Sequence, residues 1–394
     1  MRIAIIGLGV LGASTARVLA RSGAQVTVFE RTAPGAGTTG TSYGWINAHR
    51  KQPRSYHELN VAGMAEHAAL WEQGCAWYVR SGLLEWASDE TGRERLAANS
   101  ARLRDHGYRV ETITRAYAAE LAPDLRIPPE ATGPTWYPTE GYVLPIALLA
   151  RLWGEARDHG AELRCPATVT AVEPLASGAR VHTVGNEPEH FDRVVLAVGR
   201  WTGQLTEQIE PTVPMLTPQD PATPGLLAYT APLAARVPFP VITPELNFRP
   251  DGAGRLLVAA LDLNAHADPD ANVNTTATAG DRREPGGEKF TGEVLRRLRT
   301  VLRGGEYARI ERVDLGLRSL PADGHTVAGT DSSGQIYILA THSGITLGPL
   351  LGRLAAQEIL RERPAPELRD FRPQRFTGTS AFPQLAPARQ AGEQ

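Results

Sequence analysis

Residues 2–12, Arg-Ile-Ala-Ile-Ile-Gly-Leu-Gly-Val-Leu-Gly, decide the fold of this chain of 394 residues. A short apolar run enters the pattern Gly7-x-Gly9-x-x-Gly12, and a stretch with helical periodicity follows. The pattern predicts a strand, a tight turn and a helix. Gly7 permits the turn, Gly9 admits a pyrophosphate, and Gly12 lets the helix pack on the strand. The N-terminus of such a helix offers free N–H groups and a positive dipole end to phosphates.

A second apolar run, 26–29, ends at Glu30. An acid at this place accepts hydrogen bonds from an adenosine ribose, and it repels the extra phosphate of a 2′-phosphorylated cofactor. Strand, helix, second strand and terminal acid together predict a dinucleotide site far more specifically than three glycines alone. The alternative is a coincidental glycine-rich turn.

Composition excludes several classes of protein. The net charge of −2 gives no electrostatic case for nucleic acid or an anionic membrane. No stretch approaches the roughly 18 apolar residues of a membrane helix, and glycines interrupt the apolar start, which argues against a secretory signal. Cys75 and Cys165 are expected to be small buried thiols, and Asp262, Asp268 and Asp270 show no metal spacing. We therefore expect a cytoplasmic enzyme without a metal.

Hydrophobic periodicity predicts the other elements. Helical patterns occupy residues 55–121, 146–159, 291–303 and 348–361. Strand patterns occupy residues 167–172, 179–183, 194–199, 246–249, 256–261 and 335–340. Turn-rich or polar composition predicts loops at 32–41, 132–145 and 266–288, and a disordered tail at 377–394.

At residues 341–349, Thr-His-Ser-Gly-Ile-Thr-Leu-Gly-Pro, the chain resembles the FAD-dependent amine oxidase family of D-amino-acid oxidase, glycine oxidase and sarcosine oxidase. Four other blocks agree in order. They are the glycine motif with Glu30, Thr38-Thr39 with Tyr43-Gly44-Trp45, residues 194–199, and Gly316-Leu-Arg-Ser-Leu-Pro-Ala-Asp323. The stretch 370–376 is similar to the closing motif of the family, so the resemblance spans roughly residues 1–376.

The resemblance implies an α/β fold with a Rossmann-like FAD-binding domain, formed by residues 1–54, 140–210 and 310–376. A discontinuous α+β substrate domain of antiparallel sheet and helices is implied for 55–139 and 211–309. FAD is expected to bind non-covalently. The residues implied to line it are Gly7, Gly9, Val10, Leu11, Gly12, Glu30, Arg31, Thr38, Thr39, Tyr43, Gly44, Trp45, Val169, Gly199, Trp201, His342, Ser343, Gly344, Ile345, Thr346 and Leu347.

The resemblance also implies that Arg318 binds a substrate carboxylate. A guanidinium fork matches a carboxylate in shape and charge, and lysine cannot copy that geometry. The alternative is a surface or interdomain salt bridge. Asn247, Arg249 and His342 are the other candidate catalytic residues, whereas Tyr43 and Trp45 are equally compatible with hydrophobic packing.

The chain departs from the family at the substrate site. Glycine and D-amino-acid oxidases place a tyrosine three residues before a proline, and here that position before Pro250 is Asn247. Sarcosine-type enzymes use a strand lysine to help oxygen react, yet residues 251–265 contain no lysine. We therefore expect a non-standard pocket.

Lysine occurs only at Lys51 and Lys289. Lys51 belongs to the run His49-Arg50-Lys51, which we expect to form a solvated basic loop. The alternative is that this run reaches the mouth of the pocket.

We predict two-electron oxidation of a C–N bond in a small amine or amino acid by hydride transfer to flavin N5. Oxygen or another acceptor would take the electrons. A hydroxy-acid dehydrogenase and an FAD-binding protein without turnover stay open as alternatives. The match of residues 40–44 to the serine hydrolase pattern G-x-S-x-G is disfavoured, because a loop precedes it. Aromatic monooxygenases carry Gly-Asp-Ala where residues 339–344 read Leu-Ala-Thr-His-Ser-Gly.

Overall fold

The computed structural model describes residues 1–74, 77–269, 287–379, 382, 384–388, 390 and 392. Two of the predictions made above, those on Cys75 and Asp270, lie outside the described residues. The greater part of the predicted loop at 266–288 lies outside them too.

Helices occupy the following stretches of the described chain: Val10–Arg21 (α1), Arg54–Glu72 (α2), Glu90–Asp105 (α3), Arg115–Leu121 (α4), Pro145–Asp158 (α5), Thr202–Thr206 (α6), Gly287–Val301 (α7) and Gly344–Arg361 (α8). Short 3-10 turns add Gly199–Trp201, Asp262–His266, Gly305–Tyr307, Pro366–Phe371 and Pro373–Phe376.

Strands occupy these stretches: Arg2–Ile6 (β1), Gln25–Phe29 (β2), Trp45–Ile46 (β3), Tyr78–Val79 (β4), Leu84–Glu85 (β5), Glu111–Thr112 (β6), Thr135–Trp136 (β7), Gly141–Val143 (β8), Glu162–Arg164 (β9), Val169–Pro174 (β10), Ala179–Thr183 (β11), Glu189–Phe191 (β12), Arg193–Leu196 (β13), Pro224–Thr230 (β14), Val241–Ile242 (β15), Asn247–Pro250 (β16), Leu256–Ala259 (β17), Ile310–Leu317 (β18), Val327–Thr330 (β19) and Ile336–Ala340 (β20).

Within the described chain, a six-stranded sheet has the order β19-β20-β13-β1-β2-β9. Its strands are parallel except β19, which runs antiparallel to β20. Residues 3–6 of β1 are apolar and buried, as expected for a central parallel strand whose two faces are both covered. Helices α1, α5 and α8 pack over one face, and the small sheet β10-β11-β12 covers the other. The fold is thus the mixed α/β architecture that the sequence predicts.

A second, eight-stranded sheet in the described chain has the order β18-β14-β17-β16-β15-β5-β7-β6. Its neighbours pair antiparallel except β15 and β5, and α7 packs against it through Phe290, Val294 and Leu298. Strand β18 pairs with β14 along its length, so residues 310–317 lie in this larger sheet. The division implied by the resemblance places them in the cofactor domain, and that division stays a prediction.

The predicted helical stretch at 55–121 is wrong as a single run, because β4, β5 and β6 interrupt it. Glycines explain the breaks. Gly74, Gly82 and Gly107 have φ values of +87°, +79° and +71°, which a helix cannot contain. Strand β8 pairs with both β3 and β4 and so joins segments from the two predicted domains.

Helix α8 begins at Gly344, four residues before the predicted start. The helix contains Pro349 in its interior. Proline inside a helix leaves one carbonyl without its N–H donor. The orphaned carbonyl is that of Ile345, and the Nε2 of His67 on α2 lies 2.9 Å from it. Burial lowers the pKa of His67 to about 4, so the neutral ring donates this hydrogen bond.

Glycines let α1 approach its neighbours closely. A Cβ on Gly12 would overlap the carbonyl oxygen of Gly7, and a Cβ on Gly352 of α8 would lie 2.6 Å from the carbonyl carbon of Ser14. A Cβ on Gly63 of α2 would lie 2.7 Å from the carbonyl oxygen of Thr346. Helices α1, α2 and α8 therefore pack with backbone against backbone at these points.

We expect Gly12→Ala to destabilise the protein, because its methyl group meets rigid backbone. Overpacking of this kind costs about 1–3 kcal/mol or more. The matched control is Gly154→Ala on α5, where no heavy atom lies within 4 Å of the added Cβ, and where alanine gains up to about 1 kcal/mol of helix propensity. Urea unfolding of both variants checks this, and equal stability of the two would contradict the packing account.

Candidate active site

A cavity of about 190 Å³ lies between the eight-stranded sheet and the segments around residues 38–51 and 342–346. Many of the predicted site residues meet there, although they come from distant parts of the chain. The ones that line the cavity are Thr38, Tyr43, Gly44, Trp45, Asn247, Arg318, His342, Ser343, Ile345 and Thr346. No Asp or Glu is among the described residues that line it.

The glycine turn lies at the carboxyl end of β1. Gly7 has φ +96°, and a Cβ there would come within 2.6 Å of the Ala197 carbonyl oxygen, so only glycine fits. Gly9 precedes α1 without supplying a side-chain cap. The N–H of Val10 donates to the Thr39 hydroxyl oxygen at 3.1 Å, which ties the loop after β2 to the helix start. This helix N-terminus fits the pyrophosphate of a dinucleotide.

The carboxylate of Glu30 forms hydrogen bonds with the same turn. Its Oε2 accepts the N–H of Leu8 at 2.9 Å, and its Oε1 accepts the N–H of Thr32 at 2.9 Å. The remaining lone pairs of the carboxylate can accept ribose hydroxyls. Nearby, the guanidinium of Arg31 lies 4.3 Å from the ring centroid of Trp201. The contacts of Val169 and Gly199 with a cofactor stay predictions.

The N-terminus of α8 forms the other helix end of the site. The N-cap residue Ser343 makes no side-chain cap hydrogen bond, and Tyr56 donates to its hydroxyl at 3.0 Å. Thr346 donates to the carbonyl of Trp45 at 3.2 Å, which joins the helix to β3. A helix N-terminus at this cavity favours negative charge, as a reduced flavin ring develops. With the glycine turn and Glu30, it fits a bound FAD.

Arg318 is a cation at the cavity wall. Its Nη1 donates to the carbonyl oxygens of Ala222 and Pro224, at 2.9 and 2.7 Å. No described acidic side chain forms an ion pair with it. Burial lowers the pKa of Arg318 to about 10, so the group still carries its charge at neutral pH. Backbone carbonyls fix one edge of the guanidinium, and the charge is not neutralised.

His342 is neutral. Burial, together with the positive charges of Lys51 and Arg318, holds the pKa of its imidazole well below the ordinary value. Both cations therefore act on the same ring at the cavity wall. The imidazole therefore cannot act as a general acid at neutral pH.

Asn247 and Arg249 differ in placement although both lie on β16. Asn247 is buried and lines the cavity. Arg249 is not among the residues that line it, and its catalytic role stays a prediction. Its Nη1 pairs with Asp251 at 2.9 Å, and its Nε donates to the carbonyl of Tyr43. Residues 247 and 249 share one face of the strand, but the guanidinium of Arg249 is held by the Asp251 carboxylate and by the carbonyl oxygens of Tyr43 and Pro250.

The prediction of a solvated loop at His49-Arg50-Lys51 is wrong. His49 is 0% and Lys51 is 3% exposed, and Arg50 pairs with Glu85. Lys51 lines the cavity. The rarity of lysine was the signal in the sequence that could have singled it out.

Glu140 holds this buried segment and had no sequence signal. Its carboxylate is 0% exposed and lies 2.9 Å from Nδ1 of His49. It also accepts hydrogen bonds from Tyr108 at 2.6 Å, from Trp45 Nε1 at 3.0 Å and from the Ala48 N–H at 3.3 Å. Such a buried network fixes the loop that carries the cavity residues.

Three further predictions concern a membrane helix, a metal site and the burial of Cys165. No helix in the described part of the chain is long and apolar enough to cross a membrane. No group of three His, Cys, Asp or Glu side chains among the described residues could hold a metal ion. Cys165 is exposed, contrary to the expected buried thiol, and its Sγ lies 3.3 Å from the Thr32 carbonyl oxygen.

The described residues of the tail lie against the body of the protein. Phe382 packs on Phe376, with 5.4 Å between ring centroids. Leu385 lies beside Gly324, and the carbonyl of Gly392 accepts a hydrogen bond from Lys51. The expected disorder of 377–394 stays a prediction.

A glycine turn with a terminal acid, a second helix N-terminus and a cavity against an antiparallel sheet define a two-part dinucleotide-binding enzyme. Comparison with models of known protein families identifies the family to which this enzyme belongs. The model described as "DAO: FAD dependent oxidoreductase" matches residues 2–358. The chain belongs to this family, and it is an enzyme whose cofactor is FAD.

Individual relatives agree with the family. A glycine oxidase of Geobacillus kaustophilus (strain HTA426) is 25% identical over 403 aligned positions, which cover 95% of this chain and 97% of that protein. The crystal structure of glycine oxidase from Geobacillus kaustophilus gives a TM-score of 0.78 at 24% identity, covering 94% and 98%. The L-proline dehydrogenase of P. horikoshii also gives 0.78, at 20% identity and 95% and 97% coverage.

We expect Glu30→Ala to weaken FAD binding. The change removes the acceptor for ribose hydroxyls and frees the N–H groups of Leu8 and Thr32. Loss of charge-assisted hydrogen bonds costs about 1.5–3 kcal/mol, or roughly 10- to 150-fold in Kd. Titration of apoprotein with FAD, followed by flavin fluorescence, measures the change.

The control for this variant is FMN, which lacks the adenosine half. Its affinity should be the same in wild type and Glu30→Ala. A parallel loss of FMN and FAD affinity would show that Glu30 acts on the fold of the turn and not on the ribose.

Proposed function

We propose that the protein oxidises a C–N bond of a small amine or amino acid that carries a carboxylate. The observation that carries this proposal is Arg318, a charged guanidinium at the cavity wall that is held by carbonyl oxygens alone. An unneutralised buried cation is costly unless an anion joins it. A substrate carboxylate supplies that anion.

The geometry of Arg318 suits a carboxylate. Nη1 is committed to the carbonyls of Ala222 and Pro224, so the remaining N–H groups of Arg318 keep a fixed direction. A guanidinium edge held in this way forms two parallel hydrogen bonds with a carboxylate. Asn247, which lines the same cavity, can donate a further hydrogen bond through its amide.

Bound FAD supplies the two-electron acceptor, and we propose hydride transfer to flavin N5. The chain binds and orients the substrate. The described lining includes no carboxylate that could serve as a base, and the lowered pKa of His342 makes its imidazole a weak base. The cavity therefore suits a substrate that reacts as the free amine. Names of relatives that include glycine oxidase and L-proline dehydrogenase support an amino-acid substrate.

Anaerobic mixing tests the proposal. The FAD-loaded protein is combined with D- and L-amino acids, N-methyl amino acids and cyclic imino acids, and flavin absorbance is followed. At least one of these should bleach the flavin. Bleaching by hydroxy acids alone would contradict C–N oxidation and favour a hydroxy-acid dehydrogenase. No bleaching by any compound would favour an FAD-binding protein without turnover.

We expect Arg318→Ala and Arg318→Lys to weaken substrate binding while FAD binding is kept. Loss of the carboxylate pair costs about 2–5 kcal/mol, or roughly 30- to several thousand-fold in affinity. Lysine keeps the charge but loses the fork, so it should not restore wild-type affinity. The measurement is the rate of anaerobic flavin reduction against substrate concentration, with FAD occupancy checked by absorbance.

The matched control is Arg312→Ala, which removes an exposed arginine on β18 that pairs with Asp314. Its kinetics should be those of wild type. Wild-type kinetics in Arg318→Ala would remove the carboxylate anchor and point to an uncharged amine. Loss of FAD from Arg318→Ala would mean that the arginine holds the domains together.

A further inference from the structure

Lys51 is a second cation at the cavity. It lies just before α2, it is 3% exposed, and it lines the same cavity as Arg318. His342 lines the cavity together with Lys51 and Arg318, and both charges lower the pKa of its imidazole. Lys289, the other lysine of the chain, is exposed on α7.

The protein does not neutralise Lys51 directly. Its Nζ donates to the carbonyl oxygen of Gly392 at 3.0 Å, and no described acidic side chain forms an ion pair with it. Glu140 is the acid whose charge acts on Lys51, but that carboxylate is already committed to His49, Tyr108 and Trp45. A buried ammonium that has only a neutral acceptor is costly. An anion in the cavity would remove that cost.

We propose that Lys51 and Arg318 form a two-cation site, and that the substrate is an amine with two acidic groups. Arg318 binds one carboxylate through its fork, and Lys51 binds the second as a point charge. This inference rests on the proposed function and names its substrate class. The second carboxylate takes the place of the Gly392 carbonyl as the acceptor for Lys51.

The charge of Lys51 makes this second contact depend on pH. Burial lowers the pKa of Lys51 to about 7; the charge of Glu140 raises it and that of Arg50 lowers it. His342 is neutral, because its pKa lies well below the ordinary value. Arg318, with a pKa of about 10, keeps its charge. Lys51 is thus charged below about pH 7, and the second contact should weaken as pH rises above that value.

Binding of unreactive carboxylates tests the proposal. The probes are propionate and the dicarboxylates malonate, succinate and glutarate, and the readout is the visible absorption of bound flavin. In wild type the best dicarboxylate should bind at least about tenfold tighter than propionate. Lys51→Met should weaken dicarboxylate binding far more than propionate binding and so abolish this difference. Arg318→Ala should weaken both kinds of ligand.

The control is Lys289→Met, which removes the exposed lysine and should bind all probes as wild type does. FAD occupancy and thermal stability are measured for each variant. In wild type the dicarboxylate advantage should shrink between roughly pH 6 and pH 9, whereas Lys51→Met should show no such change.

Three results would overturn this inference. They are the absence of any dicarboxylate advantage in wild type, a Lys51→Met variant that keeps the advantage, and a variant that weakens propionate and dicarboxylate equally. The last would mean that both cations share one carboxylate. If Arg318→Ala binds propionate as wild type does, the proposed function itself fails, and the two failures are thereby distinguished.

Discussion

Close packing of backbone against backbone at glycines fixes the position of α1, and the rest of the site depends on it. Gly12 lies against the Gly7 carbonyl, and Gly352 of α8 lies against Ser14 of α1. Because Gly63 of α2 likewise meets the carbonyl of Thr346, three helices are held at distances that a side chain would prevent. Two of them, α1 and α8, begin at the site, so this packing sets where their N-terminal dipoles lie.

The electrostatics of the cavity follow from where the acidic and the basic side chains lie. Acidic side chains lie behind the cavity, where Glu140 holds His49 and Glu85 pairs with Arg50. Cations line the cavity itself, and Arg318 is anchored by carbonyl oxygens. A cavity built in this way favours anions. The imidazole of His342 is neutral and adds no charge of its own.

The sequence predicted the features that depend on local pattern. The glycine turn and Glu30 directly after β2 belong to this group, because they are encoded within about thirty residues. The mixed α/β fold was implied by the resemblance over residues 1–376. Burial of Lys51 could not be predicted, because it depends on Glu140 and on strand pairing between segments far apart in the chain. The start of α8 was missed for a related reason. The carbonyl that Pro349 leaves free is satisfied by His67, which lies on a different helix.

We propose that FAD and a carboxylate-bearing amine meet at the cavity between the eight-stranded sheet and the segments around residues 38–51 and 342–346. A crystal structure of the protein with FAD and an unreactive carboxylate analogue of such an amine tests it most directly. In that structure we expect the adenosine to lie at Glu30, the flavin ring at the N-terminus of α8, and the carboxylate against the guanidinium of Arg318. Nicotinamide density with no flavin at the glycine turn, or a carboxylate bound away from Arg318, would contradict it.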